Sequence, residues 1–280
     1  MKVLLTGANG MLGQDLSPIL EDVGAFVIET SEESMDITDS ALVSGVLKQV
    51  HPDLVIHCAA YTNVDKAEEE PDKAELVNVT GTENVAKICA ELDIPIVYIS
   101  TDYVFDGTKS TPYTPEDTPN PQNVYGRTKL GGEEMVKKYC KKYYIVRTSW
   151  LYGHYGKNFV ETMLNLASSG IEIKVVDDQT GCPTWTVELA NGILKLLSKP
   201  YGIYHICGSG QTSWYGFAKE IFKSMNMDAN LKPCTTEEFP RPAKRPKYSV
   251  MYNQKLCRTW EAALQDYIAL RNFETTEAGV

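Results

Sequence analysis

Short β-branched runs alternate with longer stretches of helical periodicity over the first 150 residues, the pattern of a parallel sheet with crossover helices. Val3-Leu4-Leu5 reads as the first strand, residues 11 to 22 as the first helix, and Phe26-Val27-Ile28-Glu29 as the second strand. Pro18 removes a backbone hydrogen bond inside that helix and is expected to kink or shorten it. A helix over 39 to 50 and a strand over Leu54 to Cys58 complete a βαβαβ register. Pro71 can open a long helix to Leu92, with Ala74, Val77, Val85, Ile88 and Leu92 near helical spacing. Pro95 to Ser100 is the fourth strand, and the proline-rich residues 106 to 122 form a loop. A helix over 124 to 140 and a strand over Tyr144 to Arg147 follow.

Beyond 150 the pattern gives helices over 158–168, 186–197, 213–225 and 259–270, with strands over 172–176 and 203–206. No linker or repeat separates the halves. The expected architecture is an α/β, doubly wound parallel sheet of Rossmann-like type. Residues 1–150 would form a dinucleotide-binding domain, and residues 151–280 a smaller, mainly substrate-binding α/β region packed against it. Glu274 to Val280 are expected to fray.

Glycine placement gives this fold a chemistry. Gly7, Gly10 and Gly13 lie between the first strand and first helix, in Thr6-Gly7-Ala8-Asn9-Gly10-Met11-Leu12-Gly13. A backbone turning there against a pyrophosphate needs residues without Cβ, and the helix N-terminus offers oriented N–H donors. Past the second strand the chain reads Glu29-Thr30-Ser31-Glu32-Glu33, with Thr30 a candidate cofactor contact and no Arg or Lys nearby, which on charge alone favours NADH over NADPH. Asp36 and Ile37 can flank adenine, and Ala59, Ala60 and Tyr61 follow the third strand where a cofactor passes the sheet edge.

Tyr125 and Lys129 stand four residues apart, one helical turn. A cation near a phenol makes it a usable acid or base near neutrality. The same spacing recurs at Tyr215 and Lys219, so position decides: Tyr125 follows the fourth strand and its loop. That strand ends at Thr101, bringing a hydroxyl to the carboxyl edge of the sheet.

Composition narrows the partners. With 27 basic and 37 acidic residues the net charge is −10, unsuited to a nucleic-acid backbone. The one concentrated basic stretch is Arg241-Pro242-Ala243-Lys244-Arg245-Pro246-Lys247, in a chain with only six arginines, and it suits one or two phosphates. Seven cysteines without a Cys-x-x-Cys pair point to reduced thiols, and the unclustered His51, His57, His154 and His205 argue against a metal site. The lack of a signal-peptide pattern and of a membrane-length apolar run leads to the expectation of a cytoplasmic protein.

The Thr-Gly-x-x-Gly-x-x-Gly turn, Thr101 and Tyr-x-x-x-Lys resemble the extended short-chain dehydrogenase/reductases. More narrowly, Ser100 to Gly107, Tyr125 to Leu130, Arg147 to Gly153, Asp178-Gln179-x-Gly181-x-Pro183-Thr184 and Arg241-Pro242-x-x-x-Arg245-Pro246 resemble the dTDP-4-dehydrorhamnose reductase family. The resemblance covers about residues 1 to 270. It implies reduction, with NADPH or NADH, of the C4 ketone of dTDP-6-deoxy-L-lyxo-4-hexulose to dTDP-L-rhamnose. Tyr125 would donate the proton, Lys129 would hold the ribose hydroxyls and lower the phenol's pKa, and Thr101 would orient the carbonyl. The sugar pocket would hold Val64, Asp102, Tyr103 and Trp150, with Arg241 and Arg245 at the nucleotide end. Some family members dimerise around Mg²⁺ held by glutamates, where this chain has Asp15; no metal site is expected, and a monomer or homodimer is. Two alternatives share the pattern: a nucleotide-sugar epimerase or dehydratase, and a non-catalytic regulator like the methionine adenosyltransferase regulatory subunit.

Overall fold

The computed structural model describes residues 1–277. The chain begins as its pattern requires: β1 (Lys2–Thr6) leads into α1 (Met11–Asp22), and β2 (Phe26–Thr30), α2 (Ser40–Val50) and β3 (Leu54–His57) complete the first unit. α3 (Val64–Glu69), α4 (Pro71–Glu75) and α5 (Thr82–Glu91) precede β4 (Ile96–Thr101), and α6 (Val124–Tyr139) leads to β5 (Tyr143–Thr148). The second half runs β6 (Leu151–Tyr152), α7 (Phe159–Ser168), β7 (Ile173–Val176), β8 (Thr180–Gly181), β9 (Thr184–Trp185) and α8 (Thr186–Leu196). It ends β10 (Gly202–His205), β11 (Thr212–Ser213), α9 (Trp214–Ser224), β12 (Leu231–Cys234) and α10 (Trp260–Glu277).

Six strands form one sheet in the order β10-β5-β4-β3-β1-β2, and every pairing in it is parallel. The chain visits β2 on one side of β1 and then returns to place β3 on the other. The order therefore reverses between β1 and β3, and in such sheets ligands bind beyond the carboxyl ends at that reversal. α1 and α8 cover one face through Leu12, Leu16, Leu20, Leu189 and Ile193. The other face carries α2, α5 and α6 through Val43, Leu47, Val85, Ala86 and Val136. A separate cluster around Tyr152, Val160, Phe217, Trp260 and Tyr267 joins α7, α9 and α10.

Several local expectations are corrected. Pro18 lies inside α1 without shortening it, because Leu12, Leu16 and Leu20 hold that helix in the core on both sides of the proline. The long helix expected from Pro71 is broken: between α4 and α5, residues Leu76–Gly81 form a π-turn. Its buried Asn78 donates to the Tyr61 carbonyl (3.1 Å) and to Thr128 Oγ1 (2.9 Å), and accepts from the Tyr61 N–H (2.8 Å). The strand at 173–176 belongs to a two-stranded pair with β12, which the sequence hides behind Lys232 and Pro233, residues suited only to an edge. The terminal helix runs to Glu277; the remainder of the stretch expected to fray, residues 278–280, lies outside the described ones. Among the described residues all seven cysteines are free, six of them buried.

Beneath the carboxyl edge of the sheet, Glu133 of α6 meets Arg147 of β5 in a water-excluded fork: Nε to Oε1 at 2.9 Å and Nη2 to Oε2 at 2.7 Å. Ser100 of β4 donates to the same Oε1 at 2.6 Å, and the guanidinium carbon lies 5.1 Å from the centre of the Phe105 ring. A buried pair of this kind costs most when one partner is removed. Arg147→Met is expected to lower unfolding free energy by about 3–5 kcal/mol, measured by urea denaturation. Pairing it with Glu133→Leu should recover much of that loss; a single variant as stable as the parent would show that the fork holds nothing.

Candidate active site

The turn after β1 is fixed by contacts that exclude side chains. Gly7 has φ +65°, and a Cβ there would stand 2.7 Å from the Ala59 nitrogen. At Gly13 a Cβ would come within 2.6 Å of the Ala8 backbone. Gly10 opens α1 with no side-chain cap, and the first turn carries no acidic residue, so its N–H groups and the positive end of the helix dipole are available to an anion.

That turn forms one end of a cavity of about 880 Å³ over the carboxyl ends of the strands. Gly7, Asn9, Gly10, Met11, Leu12, Gly13, Asp36, Ile37, Ala59, Ala60 and Tyr61 line it. So do Val64, Thr101, Asp102, Tyr103, Tyr125, Lys129 and Trp150. The sequence thus brought together residues from four strand ends and from α1, α3 and α6.

Tyr125 sits in the first turn of α6, which Asn123 caps by accepting from Gly126 N (2.7 Å) while Glu68 accepts from Val124 N (2.7 Å). Its ring meets Tyr103 edge to face, with centroids 5.7 Å apart. One turn on, Lys129 Nζ lies 4.3 Å from the centre of the Tyr98 ring. Burial acts on both, with opposite signs. It pushes the Tyr125 phenol up to about 12, with the nearby Thr101 hydroxyl acting against the rise and the Asp102 charge adding to it. It pushes the Lys129 ammonium down to about 7, while Glu133 and Cys58 act the other way. In the protein by itself burial dominates at both groups, and the lowering of the phenol expected from Lys129 would have to act against that rise. Nearby His57 is held neutral: burial takes it down to about 3, and Thr6 and Thr82 bracket its nitrogens at 2.7 and 3.2 Å.

The other end of the cavity is aromatic. Trp150 has φ +48°, a conformation costing about 1–3 kcal/mol in a residue of this bulk. It is held there by stacking on Trp214, centroids 3.6 Å apart, and by Gly181, where a Cβ would fall 2.5 Å from the indole.

Three expected residues stand elsewhere. The Thr30 hydroxyl turns into the sheet and donates to the Leu5 carbonyl at 3.2 Å. Arg245 forms a two-pronged pair with Asp65, Nη2 to Oδ2 at 2.9 Å and Nη1 to Oδ1, and also faces the Tyr103 hydroxyl. Arg241 is more exposed, 3.8 Å from the same carboxylate and stacked over Phe239. Asp15 accepts the Thr186 hydroxyl; among the described residues no group of three His, Cys, Asp or Glu side chains could hold a metal. Among them, too, no helix is long and apolar enough to cross a membrane. Tyr215 and Lys219 lie on α9.

Residues unforeseen from the sequence also line the cavity: Ser31, Glu32, Met35, Thr38, Lys73, Thr148 and Ser149 among them. Thr148 and Ser149 could have been found by following β5 to its carboxyl end, as was done for β4. Lys73 could not, since the π-turn that positions its helix left no mark in the periodicity.

A family model described as RmlD substrate binding domain matches residues 1–272. The spore coat polysaccharide biosynthesis protein SpsK of Bacillus subtilis is 42% identical over 97% of this chain and 98% of its own. A dTDP-4-dehydrorhamnose reductase structure from Clostridium acetobutylicum superposes with TM-score 0.95 at 48% identity, covering 97% of this chain and 100% of that one. The dTDP-4-dehydrorhamnose reductase of Bacillus anthracis, solved in complex with NADP, gives TM-score 0.93 at 43% identity over 96% of this chain and 98% of that one. With a match running almost end to end, the chain belongs to the RmlD substrate-binding-domain family, within the Rossmann-like reductases.

Proposed function

We propose that this protein reduces the C4 ketone of dTDP-6-deoxy-L-lyxo-4-hexulose to dTDP-L-rhamnose with NADPH or NADH. The observation that carries the reading is one cavity with a glycine-rich turn at one end and Thr101, Tyr125 and Lys129 on its floor. The residues present fit a nicotinamide dinucleotide: Gly7 and Gly13 keep the backbone of the turn tightly folded, and the uncapped first turn of α1 offers N–H groups where a pyrophosphate needs donors. Gly7, Asn9, Gly10, Met11, Leu12 and Gly13 would hold the pyrophosphate, Asp36 and Ile37 the adenine, and Ala59, Ala60 and Tyr61 the passage to the floor. When bound, the reduced nicotinamide supplies the hydride for C4.

The remaining chemistry belongs to this chain. A phenol near 12 stays protonated at physiological pH, the state a donor to the C4 oxygen needs. Lys129 would hold the ribose hydroxyls, and contact with them would compensate an ammonium that burial otherwise weakens. Thr101 orients the ketone, while Val64, Asp102, Tyr103 and Trp150 shape the sugar pocket. Arg241 and Arg245 take the diphosphate, for which Arg245 must release Asp65.

Three outcomes test this. With the enzymatically generated dTDP-4-keto sugar, absorbance of NADPH or NADH should fall; if neither is consumed, the reading fails. Tyr125→Phe keeps the ring and loses the proton, so ligand binding should survive and turnover drop about 10²-fold or more. Arg245→Ala should raise KM for the dTDP-sugar, but not for the nicotinamide, since losing a contact of about 1.5–3 kcal/mol weakens binding roughly 10- to 150-fold. Unchanged KM values would leave Arg245 as a structural partner of Asp65.

A further inference from the structure

The mechanism above asks the Thr101 hydroxyl to orient a ketone, yet that hydroxyl is already engaged. Thr101 Oγ1 donates to Asp102 Oδ1 at 3.1 Å and accepts from the Tyr103 N–H at 3.2 Å. Asp102 is only 1% exposed, and its Oδ2 is buried without closing a hydrogen bond of ordinary geometry. A hydroxyl has one proton to give, and a carboxylate accepts it in a charge-strengthened bond. A ketone oxygen can only accept. While Asp102 is ionised, Thr101 therefore has nothing to offer the substrate.

We propose that Asp102 is a positioning residue that sets the direction of the Thr101 hydroxyl. As a carboxylate it draws the Thr101 proton to itself; as a carboxylic acid it donates to Thr101 Oγ1, and the threonine's own proton turns to the ketone. The proton bookkeeping closes within the pair, since one proton taken up by Asp102 redirects one proton on Thr101.

The groups facing this carboxyl decide where the change falls. They are the phenols of Tyr103 on its own turn and Tyr125 on α6, the Cys207 thiol after β10, and the Ser249 hydroxyl from the segment beyond Arg245. Arg245 acts on Tyr103 behind it. Burial pushes the Asp102 carboxyl up to about 6, against the hydrogen bonds from Ser249 and Thr101. The competent form is the protonated one, so kcat/KM should fall about tenfold per pH unit above that value. Covering the carboxyl with the sugar removes further solvent and should carry the same limb to higher pH in kcat.

The inference rests on the proposed ketone reduction, and pH profiles of kcat/KM over about pH 5 to 8 separate the two. No consumption of reduced nicotinamide by the parent protein overturns the reduction itself. Given turnover, the limb should be present in the parent protein and in Thr101→Ser, and absent in Asp102→Asn, whose amide can donate to Thr101 at every pH. It should also be absent in Thr101→Val, whatever that variant's rate. A limb with an unshifted midpoint in Asp102→Asn assigns it to another group, and one surviving in Thr101→Val shows that Asp102 does not act through the hydroxyl; either result overturns the proposal. Infrared spectroscopy of the folded parent protein with ¹³C-labelled aspartate gives a second readout, independent of the variants' folding. A protonated-carboxyl band at about pH 5 that disappears by about pH 8 is required, and its absence overturns the assignment.

Discussion

A carboxylate cut off from water fixes the catalytic edge. Glu133 has no exposed surface, and its oxygens are taken up by Arg147 from β5 and Ser100 from β4. Tyr125, Lys129 and Glu133 follow each other at intervals of four along α6, so anchoring the third sets the height and rotation of the other two. Ser100 is bound to the same carboxylate and immediately precedes Thr101, which ties the end of β4 to the same reference point. Where the helix passes closest it carries glycine: a Cβ on Gly132 would fall 2.1 Å from the Tyr98 hydroxyl of β4, and one on Gly126 2.2 Å from the Tyr103 carbonyl just beyond that strand. Each helical glycine costs up to about 1 kcal/mol against alanine, a modest strain beside the loss of that close approach.

What was readable in the sequence was what repeats or what local geometry demands. The alternation of β1, α1, β2, α2 and β3 follows from periodicity, and the glycine turn from its place between the first strand and helix. Tyr125 and Lys129 were legible because a one-turn spacing puts them on one face wherever the helix lies. The unread features are set by partners far away in the chain. Asp65 and Arg245 are 180 positions apart, and neither composition nor spacing says that a guanidinium read as phosphate-binding is already paired. The π-turn at Leu76–Gly81 adds a residue where Asn78 turns inward to Tyr61 and Thr128. The left-handed Trp150 is a consequence of the Trp214 stack, and no neighbour in sequence announces it.

Burial explains why one pocket can hold a neutral phenol and a labile ammonium side by side. Desolvation disfavours the charged form of each, so the tyrosine rises and the lysine falls. Under the proposed reduction, a phenol that desolvation keeps protonated would hold its proton until an alkoxide develops on the substrate. Glu133 then has a second consequence: its charge acts against the fall of Lys129, keeping the ammonium within reach of physiological pH.

α3 links the basic segment to the helix that bears Tyr125. Asp65 accepts from the Ala243 N–H at 3.2 Å and binds Arg245, while Glu68, one turn on, caps α6 at Val124. Asn123 closes the circuit by donating to the Lys244 carbonyl at 2.8 Å. A diphosphate drawn to Arg245 must compete with a carboxylate already seated in its fork, so part of the attraction is spent in displacing Asp65 rather than in affinity. That exchange occurs one residue from Val64, which lines the cavity, and one turn from the cap that sets the angle of Tyr125. Under the proposed reading, an exchange of Asp65 for a diphosphate would act on the same six-residue helix that caps α6 just before Tyr125.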